Sequence, residues 1–302
     1  MTALNASVKP QQADQAATPV LKERSHAQAV LHRLLRNKAA VAGGVVVILL
    51  VLVALLAPHL APADPLLQDV PGRFKPPSAA HWLGTDELGR DILSRIIVGS
   101  RISLLSSIIA VSISLTVGVV VGLVAGFYAK LDNFLMRLID IMMAFPGILL
   151  AIAIVSALGP GQFNVMIAVG IQVVPTYARI TRSQVLSLRS LDYILAARSQ
   201  GAGDTRIIFK HILPNCLATI IVYTTLNLAS AILSASTLSF LGLGAPPPSP
   251  EWGGMVSTAR QFFLNYPNVA VWPTLAIFVT VLAFNFLGDG LRDALDPRLK
   301  DV

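Results

Sequence analysis

The stretch Leu195–Pro214, LAARSQGAGDTRIIFKHILP, is a polar, arginine-bearing island between two long uncharged blocks of sequence. It reads as two short helical segments. Ala196 and Ala197 lie in the first, Gly201 and Gly203 break it, and a second run closes on Ile212-Leu213-Pro214. The glycines permit the turn, Asp204 is placed to cap the second helix, and Pro214 fixes the junction with the apolar run behind it. Arg179, Arg182, Arg189, Arg198, Arg206 and Lys210 make this the densest basic segment of the chain. The reading is a helix–turn–helix outside a bilayer, with four apolar spans before it and two after it.

Composition supports the bilayer. Of the residues, 54% are hydrophobic and 13% charged, and the mean hydropathy is +0.69. Uncharged runs at Ala39–Ala57, Ile102–Ala129, Ile141–Ala178, Ile212–Pro250 and Gln261–Gly288 reach or exceed what crosses roughly 30 Å of hydrocarbon at about 1.5 Å per residue. The expected fold class is an all-α polytopic membrane protein with six transmembrane helices. The net charge of +7 does not point to nucleic acid, because the basic residues cluster in short loops where membrane topology uses them. The lone Cys216 excludes an internal disulfide and a cysteine metal cluster, and the five scattered histidines show no ligand spacing, so no metal site is expected. The N-terminus carries no cleavable leader pattern, which makes the first span an uncleaved anchor.

Taken in order, residues 1–25 lack apolar periodicity and read as a mobile part of a cytoplasmic tail, 1–38. Arg33, Arg36 and Lys38 stand directly before the first span, 39–60, and hold that end in the cytoplasm. Residues 61–100 are read as lying on the far side of the membrane, where Thr85 or Asp86 is expected to cap a helix running into Ile92, Leu93, Ile96 and Ile97. A five-helix core follows over 101–290. Its first helix, Ile102–Tyr128, carries Ala110, Ser114, Gly118, Gly122 and Gly126 at four-residue intervals. Small residues at that spacing admit close helix packing or line a pathway. Lys130 and Arg137 mark a cytoplasmic turn, and Asp140 is placed to pair with Arg137. Gly159-Pro160-Gly161-Gln162 breaks the next block into a hairpin, and Pro146 and Pro175 are expected to kink its helices. The fifth span runs over about Asn215–Leu238, a proline-rich outer loop over Gly242–Pro267, the sixth span over about Val271–Leu287, and a cytoplasmic tail over 291–302. Six alternating spans leave seventeen of the 23 Lys and Arg inside and six outside.

The chain carries no phosphate-cradling Gly-rich loop with a following Lys-Ser or Lys-Thr, no GxSxG and no HExxH. No span holds a charge near its centre, which weakens an ion-coupled mechanism. The polar candidates inside the bundle, Asn227, Ser230, Ser234 and Asn285, suit helix–helix hydrogen bonds or a substrate pathway. The island is longer than a connector needs. Its two helices suit the groove of a partner, or form a surface loop that only obeys the positive-inside rule.

Ala196, Ala197, Gly201, Ile212, Leu213 and Pro214 resemble the EAA loop of importer permeases of the ATP-binding-cassette family, with Leu195 where that pattern has Glu and a slightly altered spacing before Leu213-Pro214. Leu83-Gly84-Thr85-Asp86 with Gly89-Arg90-Asp91, Ser94-Arg95, Gly99 and Arg101–Leu104 resembles the C-type permease subunit of dipeptide, oligopeptide and nickel importers. So do Ser239–Gly244 with Pro250-Glu251-Trp252-Gly253, and Gly288–Pro297. The likeness covers roughly Asn37 to Lys300 and is nearest to the dipeptide type. It implies a type I importer permease fold with both termini cytoplasmic, in a bacterial inner membrane. It also implies a homologous permease partner, two cytoplasmic ATPases that use ATP and Mg, an external substrate-binding protein and a small peptide as substrate. This chain itself would bind no cofactor and catalyse nothing. The segment 184–214 would be its coupling loop, with 188–214, and within it Ala202 and Asp204 besides the motif residues, transmitting the ATPase stroke. Nickel or glutathione importers of the same group and a stand-alone ion-coupled carrier are the alternatives.

Overall fold

A computed structural model describes residues 26–295; the expected mobile tail at 1–25 and the end of the C-terminal segment, 296–302, lie outside the described residues. Helix α1 (His26–Arg36) occupies the end of the segment read as tail and lies against the last helix. Asn37 ends it and caps α2 (Lys38–Leu60), its Oδ1 accepting from the Ala39 and Ala40 amides at 3.1 and 3.2 Å.

The long helix α3 spans Ile92–Phe127 and so begins inside the segment read as extramembrane. Its cap is Asp91, not Thr85 or Asp86: the Ser94 amide and hydroxyl donate to Asp91 Oδ2 at 2.8 and 2.7 Å. The reason is a backbone turn. Gly84 and Gly89 both take positive φ, which folds 84–91 back until Thr85 bridges to Asp91. Inside that turn the Thr85 hydroxyl donates to Gly72 O, and Asp86 accepts from the Leu88 and Arg90 amides. Neither side chain is left for the helix.

After α3 come α4 (Ala129–Met143) and α5 (Gly147–Leu158), set at 89° to one another. Residues 130 and 137 therefore lie in a helix rather than a turn. Pro146 does not kink a helix but separates two, because the residue before a proline is pushed out of the helical region. Gly159 and Gly161 make the hairpin turn, and α6 (Gln162–Leu188) returns with Pro175 inside it. Then follow α7 (Asp192–Ser199), α8 (Asp204–Ile207), α9 (Leu213–Phe240), a helix absent from the sequence reading, α10 (Trp252–Ala259), and α11 (Pro267–Leu295). Among the described residues five helical segments are long and apolar enough to cross a membrane, and the count reaches six if the bent α4–α5 pair is one span.

The centre of the bundle is the contact of α3 with α6, its most extensive helix pair. Gly118 faces Tyr177 and Val174 O, Gly122 faces Ala178 O and Thr181, and Gly126 faces Val185. Backbone meets backbone there because side chains are missing on one side. Two ion pairs tie α4 to the same helix: Arg182 holds Asp132 with Nε and Nη2 at 2.6 and 2.7 Å, and Arg179 holds Asp140 at 2.6 Å. Asp140 thus pairs across helices, not with Arg137 one turn away. A Cβ on Gly122 would lie 2.5 Å from Ala178 O and 2.6 Å from Thr181 Cβ. Gly122→Val is therefore expected to cost about 1–3 kcal/mol by overpacking, read as a lowered thermal midpoint of the purified protein; an unchanged midpoint would refute the backbone-to-backbone contact.

Candidate functional site

The polar island folds as one turn between two helical segments, but not as two independent short helices. Gly201 has φ +83°, the left-handed region that a side chain resists, whereas Gly203 sits at −70° and requires no glycine. From Asp204 the chain is helical without interruption to Phe240. Pro214 is accordingly no junction: it lies in the first turn of α9, and the chain before it widens into a π turn over Ile208–Ile212 in which the Leu213 amide reaches back to Ile208 O. A proline donates no amide and crowds the carbonyl four residues back; the wider turn accommodates both. Asp204 caps nothing; Gly203 holds the cap position and the Asp204 carboxylate pairs with Arg198 at 3.4 Å.

The loop has an anchored side and an open side. Ile194, Ile207 and Ile212 are buried with Leu123, Tyr177, Val185, Cys216 and Ile220 of the long helices. Arg189 Nη1 donates at 2.9 Å to Gly126 O in the last turn of α3, one of the carbonyls that a helix end leaves unpaired. The Arg198 guanidinium lies 5.5 Å from the Phe127 ring centroid. On the open side stand Ala196, Gly201 and Asp204, with Ala197 and Ala202 half-buried. Tyr193, Leu195 and Phe209 are large apolar side chains exposed on the same loop. Of the closing motif, Ile212 is buried, Leu213 half-buried and Pro214 exposed. The sequence motif thus mixes anchors with surface, and the principal anchors Ile194 and Ile207 lie outside it.

In the interior, Asn227 is buried and its amide nitrogen donates to nothing among the described residues. Tyr177 hydrogen-bonds Thr224 at 3.1 Å one turn away. Ser230 is exposed and Ser234 half-buried, and none of these three residues lines the cleft of about 650 Å³ that Arg179, Ser183, Gln184, Tyr223 and Arg292 form between α6, α9 and α11. An apolar groove of about 550 Å³ runs between α3 and α9 past Leu115, Val119, Phe209 and Leu217.

Residues 114–301 match the family described as binding-protein-dependent transport system inner membrane component, and residues 25–77 match the N-terminal transmembrane domain of oligopeptide transport permease C. The chain belongs to this permease family. It is 48% identical over 290 residues to the glutathione transport system permease protein GsiD of Pectobacterium atrosepticum, covering 94% of this chain and 96% of that one. It is 48% identical over 269 residues to the dipeptide transport system permease protein DppC of Alkalihalophilus pseudofirmus, covering 89% and 88%. A chain of the MetNI methionine ABC transporter, solved facing inward, superposes with a TM-score of 0.56 at 18% identity over 68% of this chain and 98% of that one. The fold is that of an importer permease, and the protein is a multi-pass component of the inner membrane.

At the end of the permease away from the loop lies a polar cluster that the sequence reading missed. Arg90 Nε holds Asp86 and its Nη2 holds Glu87, each at 2.7 Å. Glu251 is buried and caps α10, accepting from the Gly253 and Gly254 amides at 3.0 and 2.7 Å. Burial raises its carboxyl above the ordinary range, against the pull of those amides. Trp252 is buried beside it, its indole donating to Ile96 O at 3.0 Å. Asp86 and Arg90 stand four apart, and Glu251 stands two before a Gly-Gly pair; those spacings were the available signals. Glu251→Ala is expected to cost about 0.5–2 kcal/mol of cap energy and to speed amide exchange over 252–259 selectively. Uniform or absent change in exchange would contradict the capping role.

Proposed function

We propose that this permease is the membrane subunit of an ATP-driven importer of short peptides. It pairs with a homologous permease, is worked by two cytoplasmic ATPases that bind ATP and Mg, and is supplied by an external substrate-binding protein. It catalyses nothing itself and holds no cofactor. Both termini lie in the cytoplasm, as Arg33, Arg36 and Lys38 before α2 and the excess of Lys and Arg in the inner loops support. The segments 39–60, 61–100, 101–290 and 291–302 then serve as first span, periplasmic segment, permease core and inner tail.

The carrying observation is the open side of the coupling loop. Tyr193, Leu195 and Phe209 are exposed on a segment that also bears Asp192, Arg198, Asp204, Arg206 and Lys210, a charge density that keeps it out of hydrocarbon. Large apolar side chains on a water-facing surface mark a partner site. Leu195, where the related pattern has Glu, adds apolar area to that surface in place of a charged contact. The substrate class rests on the relatives, among which dipeptide and glutathione permeases both stand near 50% identity. Dipeptide and the tripeptide glutathione are therefore the two substrates to compare.

No atom lies within 4 Å of a Cβ built on Gly201, and its φ is +83°. Gly201→Val thus strains the turn without creating a clash. In proteoliposomes holding the whole complex it is expected to lower ATP-dependent peptide uptake by about tenfold or more, in line with roughly 1–2 kcal/mol of left-handed strain per residue distorting the docking face, with membrane insertion intact. Normal uptake and normal ATPase association in that variant would remove the coupling role. Uptake driven by a proton gradient through this chain alone would instead establish the stand-alone carrier.

A further inference from the structure

Helix α9 has two unlike sides. The cleft against α6 and α11 opens onto its Thr219, Val222 and Tyr223, and the groove against α3 opens onto its Leu217, Ile220 and Ile221. At about 100° per residue the two sets stand on opposite faces of the helix. The cleft brings Arg179, Ser183, Gln184 and Arg292 together, groups that water or a polar partner must face. The groove, of about 550 Å³, has no charged side chain on its wall. Thr224 and Thr225 line it, but their hydroxyls donate to the carbonyls of Ile220 and Ile221 at 2.7 and 3.0 Å and call for no water.

The groove has the depth of one leaflet. Along its wall α3 runs from Leu115 to Val124, about 14 Å at about 1.5 Å per residue, near half of a roughly 30 Å hydrocarbon core. Its inner end lies where α3 stops, at Phe127, and where the coupling loop joins α9. Phe209 stands at that end, shared with the open side of the loop. Arg206 and Lys210 flank Phe209 in the chain; both are exposed, and neither makes an ion pair among the described residues. Asp204, the acid nearest to them in sequence, is held by Arg198. An apolar slot one leaflet deep, with two uncommitted cations where it meets the surface, is the complement of an anionic phospholipid. A peptide would find no free donor or acceptor on these aliphatic walls. A second permease seated here would leave the polar cleft on the other side of α9 turned towards hydrocarbon.

We infer that the groove between α3 and α9 holds a phospholipid of the inner leaflet, with an acyl chain along Leu115–Val124 and an anionic headgroup on Arg206 and Lys210. The leaflet rests on the reading that puts the coupling loop in the cytoplasm; the readout, bound lipid, does not depend on transport. The test places the assembled transporter in nanodiscs in which phosphatidylglycerol is the minor component beside phosphatidylcholine. The complex is then released into mild detergent, and the lipids it retains are counted by native mass spectrometry. Phosphatidylglycerol is expected to be retained at least about fivefold above its share of the bilayer, as one cation at the surface implies. Arg206→Ser together with Lys210→Ser is expected to lower that enrichment by about fivefold or more. Leu217 is exposed in the groove, so Leu217→Trp fills the slot without entering the core and is expected to abolish retention of both lipids; it carries the test if the double variant does not assemble. Equal retention of the two lipids, or retention unchanged in either variant, overturns the site. If Leu217→Trp separates the transporter into its subunits, the groove seats the second permease and the lipid assignment falls. Lipid retained without ATP-driven peptide uptake would leave this site standing and remove the import reading; uptake without retained lipid would do the reverse.

Discussion

The structure depends on the burial of three isoleucines beneath a polar loop. Ile194, Ile207 and Ile212 reach from that loop into a core made by Leu123, Tyr177, Val185, Cys216 and Ile220. Fully burying a side chain of that kind is worth about 1.5–3 kcal/mol, so the three together outweigh the exposed Arg198–Asp204 pair, which is worth at most about 1 kcal/mol. The loop is therefore a fixed attachment of the bundle. A force applied to its open side reaches α3, α6 and α9 at once, because each supplies residues to that core.

The continuity of Asp204–Phe240 strengthens this point. A flexible joint at Pro214 would let the loop move while α9 stood still. The widened turn at Ile208–Ile212 instead keeps the chain helical past the proline, so displacement of the loop becomes displacement of a span. The Arg189 contact with Gly126 O does the same for α3. Between α3 and α6, the small-residue seam from Gly118 to Gly126 brings backbones into contact, so those two helices travel as one body.

What the sequence made legible was local. Apolar run length announced the spans, the four-residue interval announced the face of α3 that packs on α6, and a glycine in a polar run announced the turn at Gly201. Several of the misreadings were decisions between nearby candidates that the folded backbone settles. Three acids lie between residues 86 and 91, and the one that caps α3 is chosen by the backbone turn at Gly84 and Gly89. Arg137 is adjacent to Asp140 in sequence, yet Arg179 holds it from another helix. Nothing in LAARSQGAGDTRIIFKHILP distinguishes the isoleucine that points inward from the leucine that points out, since that depends on where α3 and α6 end. Arg95 and Pro248 meet across 153 positions, and no spacing rule reaches that far.

The two ends of the molecule share their helices. α3 carries Arg95 in its first turn and Gly126 in its last, and at about 1.5 Å per residue a helix of that length is a rod roughly 50 Å long. α9 begins at the π turn of the loop and ends beside α10, where the Ser257 hydroxyl donates to Phe240 O at 2.8 Å. A rod held at one end by the buried isoleucines and at the other by the carbonyls around Arg95 cannot tilt without disturbing both. A tilt at the loop end would therefore change the geometry of Pro65, Pro248 and the guanidinium between them. The buried Arg95, paired with Asp86 at 3.3 Å and bonded to the carbonyls of Pro65 and Pro248, thus ties the far end of that rod to segments distant in the chain.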